Sequence, residues 1–254
     1  MENKSKIALV TGGSRGLGKD MALRLSEKGI DVVITYNSKE QEAADVVQQI
    51  QQNGQKAFAL QLNTGDIKSF DPFIVRLKEV LQNVFKADYL DFLINNAGFG
   101  GHSAIQETTE ELFDELLNVH FKGVYFLTQK ALPLLADGGR IINISSGLTR
   151  FSFPGASAYA SMKGAIEVFT RYLAKELAPR GIRANIVAPG AIATDFSGGR
   201  VRDDEQTNNF VSSMTALGRP GNAEDIGGVV AFLCSNEAGW ITGQRLEVSG
   251  GMII

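Results

Sequence analysis

Short apolar runs and longer amphipathic segments alternate along the whole chain. Ile7–Val10, Val32–Tyr36, Ala57–Leu62, Leu90–Asn95, Arg140–Ser145, Ile182–Ala188 and Arg245–Val248 read as strands, because they are short and rich in β-branched residues. Lys19–Lys28, Glu40–Gln52, Phe70–Phe85, Glu110–Leu135, Tyr159–Leu177 and Glu224–Leu233 carry the spacing of helices. Gly29, Asn53-Gly54, and Pro179 with Gly181 supply stop signals. Strands separated by helices imply right-handed crossovers and a parallel sheet. Helices on both faces of such a sheet explain why its strands are apolar throughout rather than alternating. The expectation is an α/β fold, one doubly wound parallel sheet, with residues 1–254 as a single domain. The least regular stretch, Ala191–Leu217, reads as a lid or binding loop.

Composition narrows the function. With 44% hydrophobic and 21% charged residues a packed core is expected, and a net charge of -3 advertises no basic face for nucleic acid. The single cysteine, Cys234, cannot form an internal disulfide; it sits in an apolar run and is expected to be a buried core thiol in a reducing compartment. One cysteine and two scattered histidines are too few ligands for zinc, so no metal site is expected. Met1–Lys6 leads straight into the first apolar run without a secretory signal. No apolar stretch approaches the ~20 residues of a membrane span, so a cytoplasmic protein with no membrane partner is expected.

Strand one runs into Thr11-Gly12-Gly13-Ser14-Arg15-Gly16-Leu17-Gly18. Glycines in such a loop allow a tight turn and close approach of backbone to a pyrophosphate, and the following helix N-terminus offers unpaired N–H groups. Placed between a strand and a helix at the start of an alternating chain, this loop predicts dinucleotide binding through Gly12, Ser14, Arg15, Gly16, Leu17 and Gly18. Tyr159 and Lys163 lie four apart on a helix and share a face. An ammonium beside a phenol is expected to lower the phenol pKa and make it a general acid/base. A serine-hydrolase arrangement would have only His102 and His120 to supply its base.

The G-x-x-x-G-x-G spacing with its leading Thr11 resembles the short-chain dehydrogenase/reductase family. So do Asn95-Asn96-Ala97-Gly98, Ser146 followed by Tyr159 and Lys163, Pro189-Gly190 followed by Thr194, Leu217-Gly218-Arg219-Pro220-Gly221, and Ser249-Gly250-Gly251. The likeness spans essentially the whole chain. It implies a Rossmann-like sheet and hydride transfer between a nicotinamide and a small-molecule carbonyl or alcohol. Tyr159 would exchange the proton, Lys163 would also hold the nicotinamide ribose, and Ser146 would orient the substrate oxygen. Ser145, its neighbour, should turn the other way. Ile192 and Thr194, after Pro189-Gly190, would hold the carboxamide, and Asn95, Ala97 and Gly98 would pack along the adenine ribose. The resemblance also implies a homotetramer, with a dimer as fallback, assembled through Glu110–Leu135 and Tyr159–Leu177.

Charge decides the cofactor. An NAD site usually has Asp or Glu after strand two. Here that strand ends Tyr36-Asn37-Ser38, and Arg15 and Lys39 stand near enough to attract a 2′-phosphate. NADP(H) is therefore expected over NAD(H). Two positions depart from the family. Asn63-Thr64 stands where an Asp usually meets the adenine, and Asn63 can still accept a hydrogen bond. His120 stands where V-N-x-K-G is usual. A neutral, tolerated His120 is expected; a proton relay and an impaired, cofactor-binding regulatory protein are the alternatives. The substrate stays open among 3-oxoacyl-carrier, sugar, steroid and small-ketone classes. Phe196–Met214 would line its pocket, with Phe99, Phe151 and Phe153 as aromatic walls.

Overall fold

Ile7–Val10 forms β1, and its four buried side chains divide between two cores. Ala8 and Val10 face one layer and Ile7 and Leu9 the other, as the two-residue period of a strand requires. The structure, a computed structural model, describes residues 5–254, so most of the Met1–Lys6 segment lies outside the described residues. The remaining strands are β2 (Asp31–Tyr36), β3 (Ala57–Gln61), β4 (Leu90–Asn95), β5 (Leu135–Ile144), β6 (Arg183–Pro189) and β7 (Arg245–Val248). They form one seven-stranded sheet in the order β3-β2-β1-β4-β5-β6-β7, and every neighbouring pair is parallel. The chain winds outward from β1 in one direction and from β4 in the other. That reversal opens a crevice at the carboxyl ends of the two strands, where doubly wound sheets place their ligands.

One face is covered by α1 (Gly16–Glu27), α2 (Glu40–Gln52) and α9 (Glu224–Leu233), which contribute Met21, Leu25, Val46, Ile50, Ile226 and Val230. The other is covered by α3 (Phe70–Val80), α5 (Gly123–Ala131) and α6 (Ser157–Glu176), through Phe73, Leu77, Leu127 and Leu173. Each such side chain removed from water contributes about 1.5–3 kcal/mol before the entropy of ordering it is charged. Cys234 is buried in the first of these cores. Burial pushes its thiol up to about 12, so it is an inert packing group.

Two expected elements differ in a way that shapes the crevice. Glu110–Leu135 is not one helix. It runs as α4 (Glu110–Leu117), a π-helical turn at Asn118–Lys122, then α5. Hydrophobic periodicity does not register the one residue that such a turn inserts. Pro133 then ends the helical stretch in a short turn, and Leu135 already belongs to β5. The Ala191–Leu217 connection carries two helices of its own, α7 (Arg200–Asp203) and α8 (Glu205–Met214), capped by the Asp204 carboxylate accepting from the Thr207 N–H. Smaller differences are at helix starts: α1 begins at Gly16, before Lys19, and α6 at Ser157, before Tyr159.

Candidate active site

A cleft of about 890 Å³ lies along the carboxyl ends of the central strands. Its floor is set by a polar tie between two loops. The Thr11 hydroxyl accepts from the Asn96 and Ala97 N–H groups at 2.9 and 3.0 Å, and the Asn96 amide donates back to the Thr11 and Gly12 carbonyls. Gly12 has φ +65, and a Cβ there would stand 2.9 Å from the Ala97 Cα, so only glycine fits. The next helix, α1, starts at Gly16 with Arg15 as a non-capping N-cap and no acidic residue in its first turn. Its leading N–H groups and positive dipole end are thus left for a ligand. Gly12, Ser14, Arg15, Gly16, Leu17 and Gly18 all line the cleft. An uncapped helix start beside a glycine cradle fits the pyrophosphate of a dinucleotide.

Farther out, Tyr36, Asn37, Ser38 and Lys39 line the same cleft with Asn63 and Thr64. The Lys39 ammonium sits 3.5 Å from Glu42. Asn63 Oδ1 already accepts from the Gly65 N–H at 2.9 Å, which occupies one lone pair of the acceptor expected to meet an adenine. Glu40 is a carboxylate that the motif reading did not weigh. It stays outside the cleft lining, yet with burial it raises the Tyr36 phenol pKa.

At the inner end stand Ser146, Tyr159, Lys163 and His120, together with Ala97, Gly98, Pro189, Gly190, Ile192 and Thr194. Ser146 caps a short turn after β5, its hydroxyl accepting from the Leu148 N–H at 3.2 Å. Tyr159 is half-buried. Burial raises its phenol pKa above the ordinary tyrosine range, and a hydrogen bond with Ser146 opposes this more weakly. The expected lowering by Lys163 is absent. The Lys163 Nζ donates to the Ile144 carbonyl at 2.8 Å and lies 5.6 Å from the Tyr159 ring centre, over its face rather than at its oxygen. Burial brings the Lys163 ammonium down to about 8.

His120 is buried in the π-helical turn. Its Nε2 is 2.8 Å from the Phe99 carbonyl, its Nδ1 has no partner, and its ring meets Tyr159 edge-on at 5.0 Å. Gly98 makes room for that ring, since a Cβ there would lie 2.6 Å from Cε1. Burial first, and Lys163 second, pull the His120 pKa down to about 3, so the imidazole is neutral.

One expected cofactor contact is corrected. Asn95 is buried and does not line the cleft; its amide donates inward to Thr128 and Asn143 at 3.0 and 2.8 Å. Strand alternation turns it into the core and leaves Asn96 at the cleft. Ser145 does face away from Ser146, donating to Glu167 at 2.7 Å. The motif reading also missed Met252, which lines the cleft because Arg150 donates to the Met252 and Ile253 carbonyls and folds the chain end inward. No local pattern announces a contact across a hundred residues.

Among the described residues there is no cluster of metal-binding side chains and no helix long and apolar enough to cross a membrane. A family model described as enoyl-(acyl carrier protein) reductase matches residues 12–253. The 3-oxoacyl-[acyl-carrier-protein] reductase FabG of Staphylococcus aureus is 38% identical over 98% of both chains. A solved structure of the promiscuous reductase LugOII, which catalyses keto-reduction at C1 in lugdunomycin biosynthesis, superposes with a TM-score of 0.94 at 38% identity over the whole of both chains. The angucycline C-6 ketoreductase LanV with bound NADP gives 0.94 at 36% identity, over 99% of this chain and 97% of that one.

Proposed function

We propose a reaction that proceeds from one premise: the chain belongs to the short-chain dehydrogenase/reductase family. It is an NADP(H)-dependent oxidoreductase acting between a carbonyl and a secondary alcohol. When bound, the nicotinamide supplies a hydride to the carbonyl carbon, and one proton completes the alcohol. The observation that carries the reading is the meeting of Ser146, Tyr159 and Lys163 at the inner end of a cleft whose other end is an uncapped helix start. The Tyr159 phenol, its pKa raised by burial, is protonated at neutral pH and can give that proton to the substrate oxygen or take it back in the reverse direction. Ser146 opposes the rise of that phenol's pKa and polarises the substrate oxygen. Lys163 holds the ribose and keeps a positive charge over the Tyr159 ring. His120 positions rather than reacts, by packing against Tyr159 and holding the Phe99 carbonyl.

The cofactor site uses Arg15, Ser38 and Lys39 at the 2′-phosphate, Asn63 and Thr64 at the adenine, and Pro189, Gly190, Ile192 and Thr194 at the carboxamide. The whole chain acts as one unit around one sheet, and residues 191–217 form the substrate loop. A cytoplasmic location agrees with a lone, buried thiol. Exposed large apolar side chains support a homotetramer. Phe113, Tyr125, Val168 and Tyr172 lie on α4, α5 and α6, and Leu217, Phe232, Trp240 and Ile254 lie elsewhere. Other apolar residues expected to face a partner from these helices, such as Leu116, Leu127, Ile166 and Leu173, are buried in the protein itself.

A carrier-bound 3-oxoacyl substrate is the second reading, supported by the likeness to FabG. The test is NADPH consumption by the purified protein with a panel of ketones and 3-oxo thioesters. Consumption with at least one is expected. Tight NADPH binding without consumption by any would overturn the enzyme reading in favour of a cofactor-binding regulator.

A further inference from the structure

Beside Tyr159 the cleft wall becomes aromatic. Phe99 from the loop after β4, Phe151 and Phe153 from the loop after β5, and Phe196 from the loop after β6 all line it. Phe210 on α8 extends the same surface through Phe153, at 6.2 Å between ring centres. Phe151 and Phe153 meet at 5.4 Å, and Tyr159 and Phe196 at 6.1 Å. None of the five belongs to either core cluster, and Phe196 and Phe210 remain 44% and 56% exposed. Glycine backbone seats two of them. A Cβ on Gly147 would stand 2.9 Å from the Phe151 ring, and one on Gly100 would stand 3.2 Å from the Phe196 ring. Three connections thus bring ring faces and edges to one place, leaving them open where a core would have closed over them.

The charges of the cleft point the same way. The lining carboxylates are Glu111, Asp114, Glu115 and Asp195. The nearby guanidinium groups are committed: Arg202 to Asp195 and Asp203, and Arg150 to Glu247. Arg15 and Lys39 belong to the phosphate end, and Lys163 lies under Tyr159. The phosphodiester of a carrier-borne thioester arm, or a free carboxylate, would meet like charge from these lining carboxylates, while Arg200 on α7 is exposed outside the cleft lining. Apart from the Ser146 and Tyr159 hydroxyls that take the reacting oxygen, the wall offers a substrate chiefly ring surface.

We propose that the substrate is an uncharged ketone carried on a fused aromatic ring system, stacked on the Phe151–Phe153–Phe210 surface with its carbonyl at Ser146 and Tyr159. Offset and edge-to-face ring contacts favour such a body over a flexible chain of equal carbon number, which must also give up more rotamer freedom on binding. This rests on the reductase reading above.

The test compares kcat/KM for NADPH-dependent reduction of 2-tetralone, 2-decanone and acetoacetyl-coenzyme A by the full chain. The bicyclic ketone is expected to lead the straight-chain ketone by roughly 10-fold or more, with the anionic thioester slowest. Phe153→Leu should shrink that lead roughly 3- to 10-fold through KM rather than kcat, and Phe153→Tyr, which keeps the ring, should retain it. If 2-decanone or the thioester is used as well as 2-tetralone, or if Phe153→Leu leaves the lead intact, the substrate class is wrong and the reductase reading stands. If none of the three consumes NADPH that fluorescence shows to be bound, both fall.

Discussion

Replacing His120 by Asn should flatten the acid limb of the protein's stability. The folded-state pKa of His120 lies at about 3, against an ordinary value of 6.5, chiefly because the ring is buried and secondarily because Lys163 is near. Between those two values the unfolded chain binds one more proton at this site than the folded chain does. Stability therefore rises with pH across the window and is lost as pH falls through it. At about 1.4 kcal/mol per pH unit, the folded state should be about 2 kcal/mol less stable at pH 5 than at pH 7 on this account alone. Asp20 and Asp91 carry raised carboxyl pKa values, first through burial, and they work in the opposite sense. They are present in both proteins, so the difference between wild type and His120→Asn isolates the imidazole. Urea unfolding of the cofactor-free protein at the two pH values gives the comparison. Equal losses in wild type and variant would show that His120 is not held neutral by its surroundings.

Tyr159→Phe should cut kcat by about 10²- to 10⁴-fold and leave NADPH affinity nearly unchanged, because only the proton donor is removed; stopped-flow turnover beside fluorescence titration checks both. Arg15→Ala should lower the preference for NADPH over NADH by roughly 10- to 150-fold, read as a ratio of dissociation constants, and an unchanged ratio would move 2′-phosphate recognition to Ser38 and Lys39. Light scattering at micromolar concentration should give the mass of four chains. Tyr172→Glu, on a residue 63% exposed, should reduce that mass without unfolding the chain.

The sheet was legible because its inner strands are covered on both faces and so appear as unbroken apolar runs. β1 and β4 are examples, and each ends in a glycine- or asparagine-marked loop. The site was legible wherever chemistry is local, as in the four-residue step from Tyr159 to Lys163. Interruptions and long-range ties were hidden. The π-helical turn at Asn118–Lys122 leaves the apolar spacing almost intact while shifting the ring of His120 to face Tyr159. Asn95 and Asn96 cannot be told apart by type, and only the strand's pleat sends one to the core and the other to the cleft. The rise of the phenol pKa is hidden for a related reason. Helical spacing fixes that Tyr159 and Lys163 share a face, but not that the ammonium reaches the Ile144 carbonyl instead of the phenol oxygen.

What fixes Ser146 relative to Tyr159 is a set of residues that no motif contains. Glu167 lies one helical turn beyond Lys163 on α6, and its Oε1 accepts from the Ser145 hydroxyl, the Thr149 hydroxyl and the Arg245 Nε at 2.7, 2.7 and 2.8 Å. Arg245 also donates to the Ser146 carbonyl at 3.2 Å. The helix that presents the phenol is therefore joined to the loop that presents the serine through one carboxylate and one guanidinium. Arg245 stands on β7, where Leu246 and Val248 pack on the core, and strand alternation turns Arg245 and Glu247 toward this network. Glu247 is held at about 2, first by Arg150, whose guanidinium grips it through two hydrogen bonds and also gathers in the chain end that carries Met252. Partly buried ion pairs of this kind add little net stability, since desolvation offsets much of their attraction. Their directional hydrogen bonds do resist displacement, and a proton donor and an orienting hydroxyl must hold their spacing to a fraction of an ångström. Ser145 and Ser146 thus divide the work of one strand end: one side chain anchors the turn from behind, and the other faces the substrate.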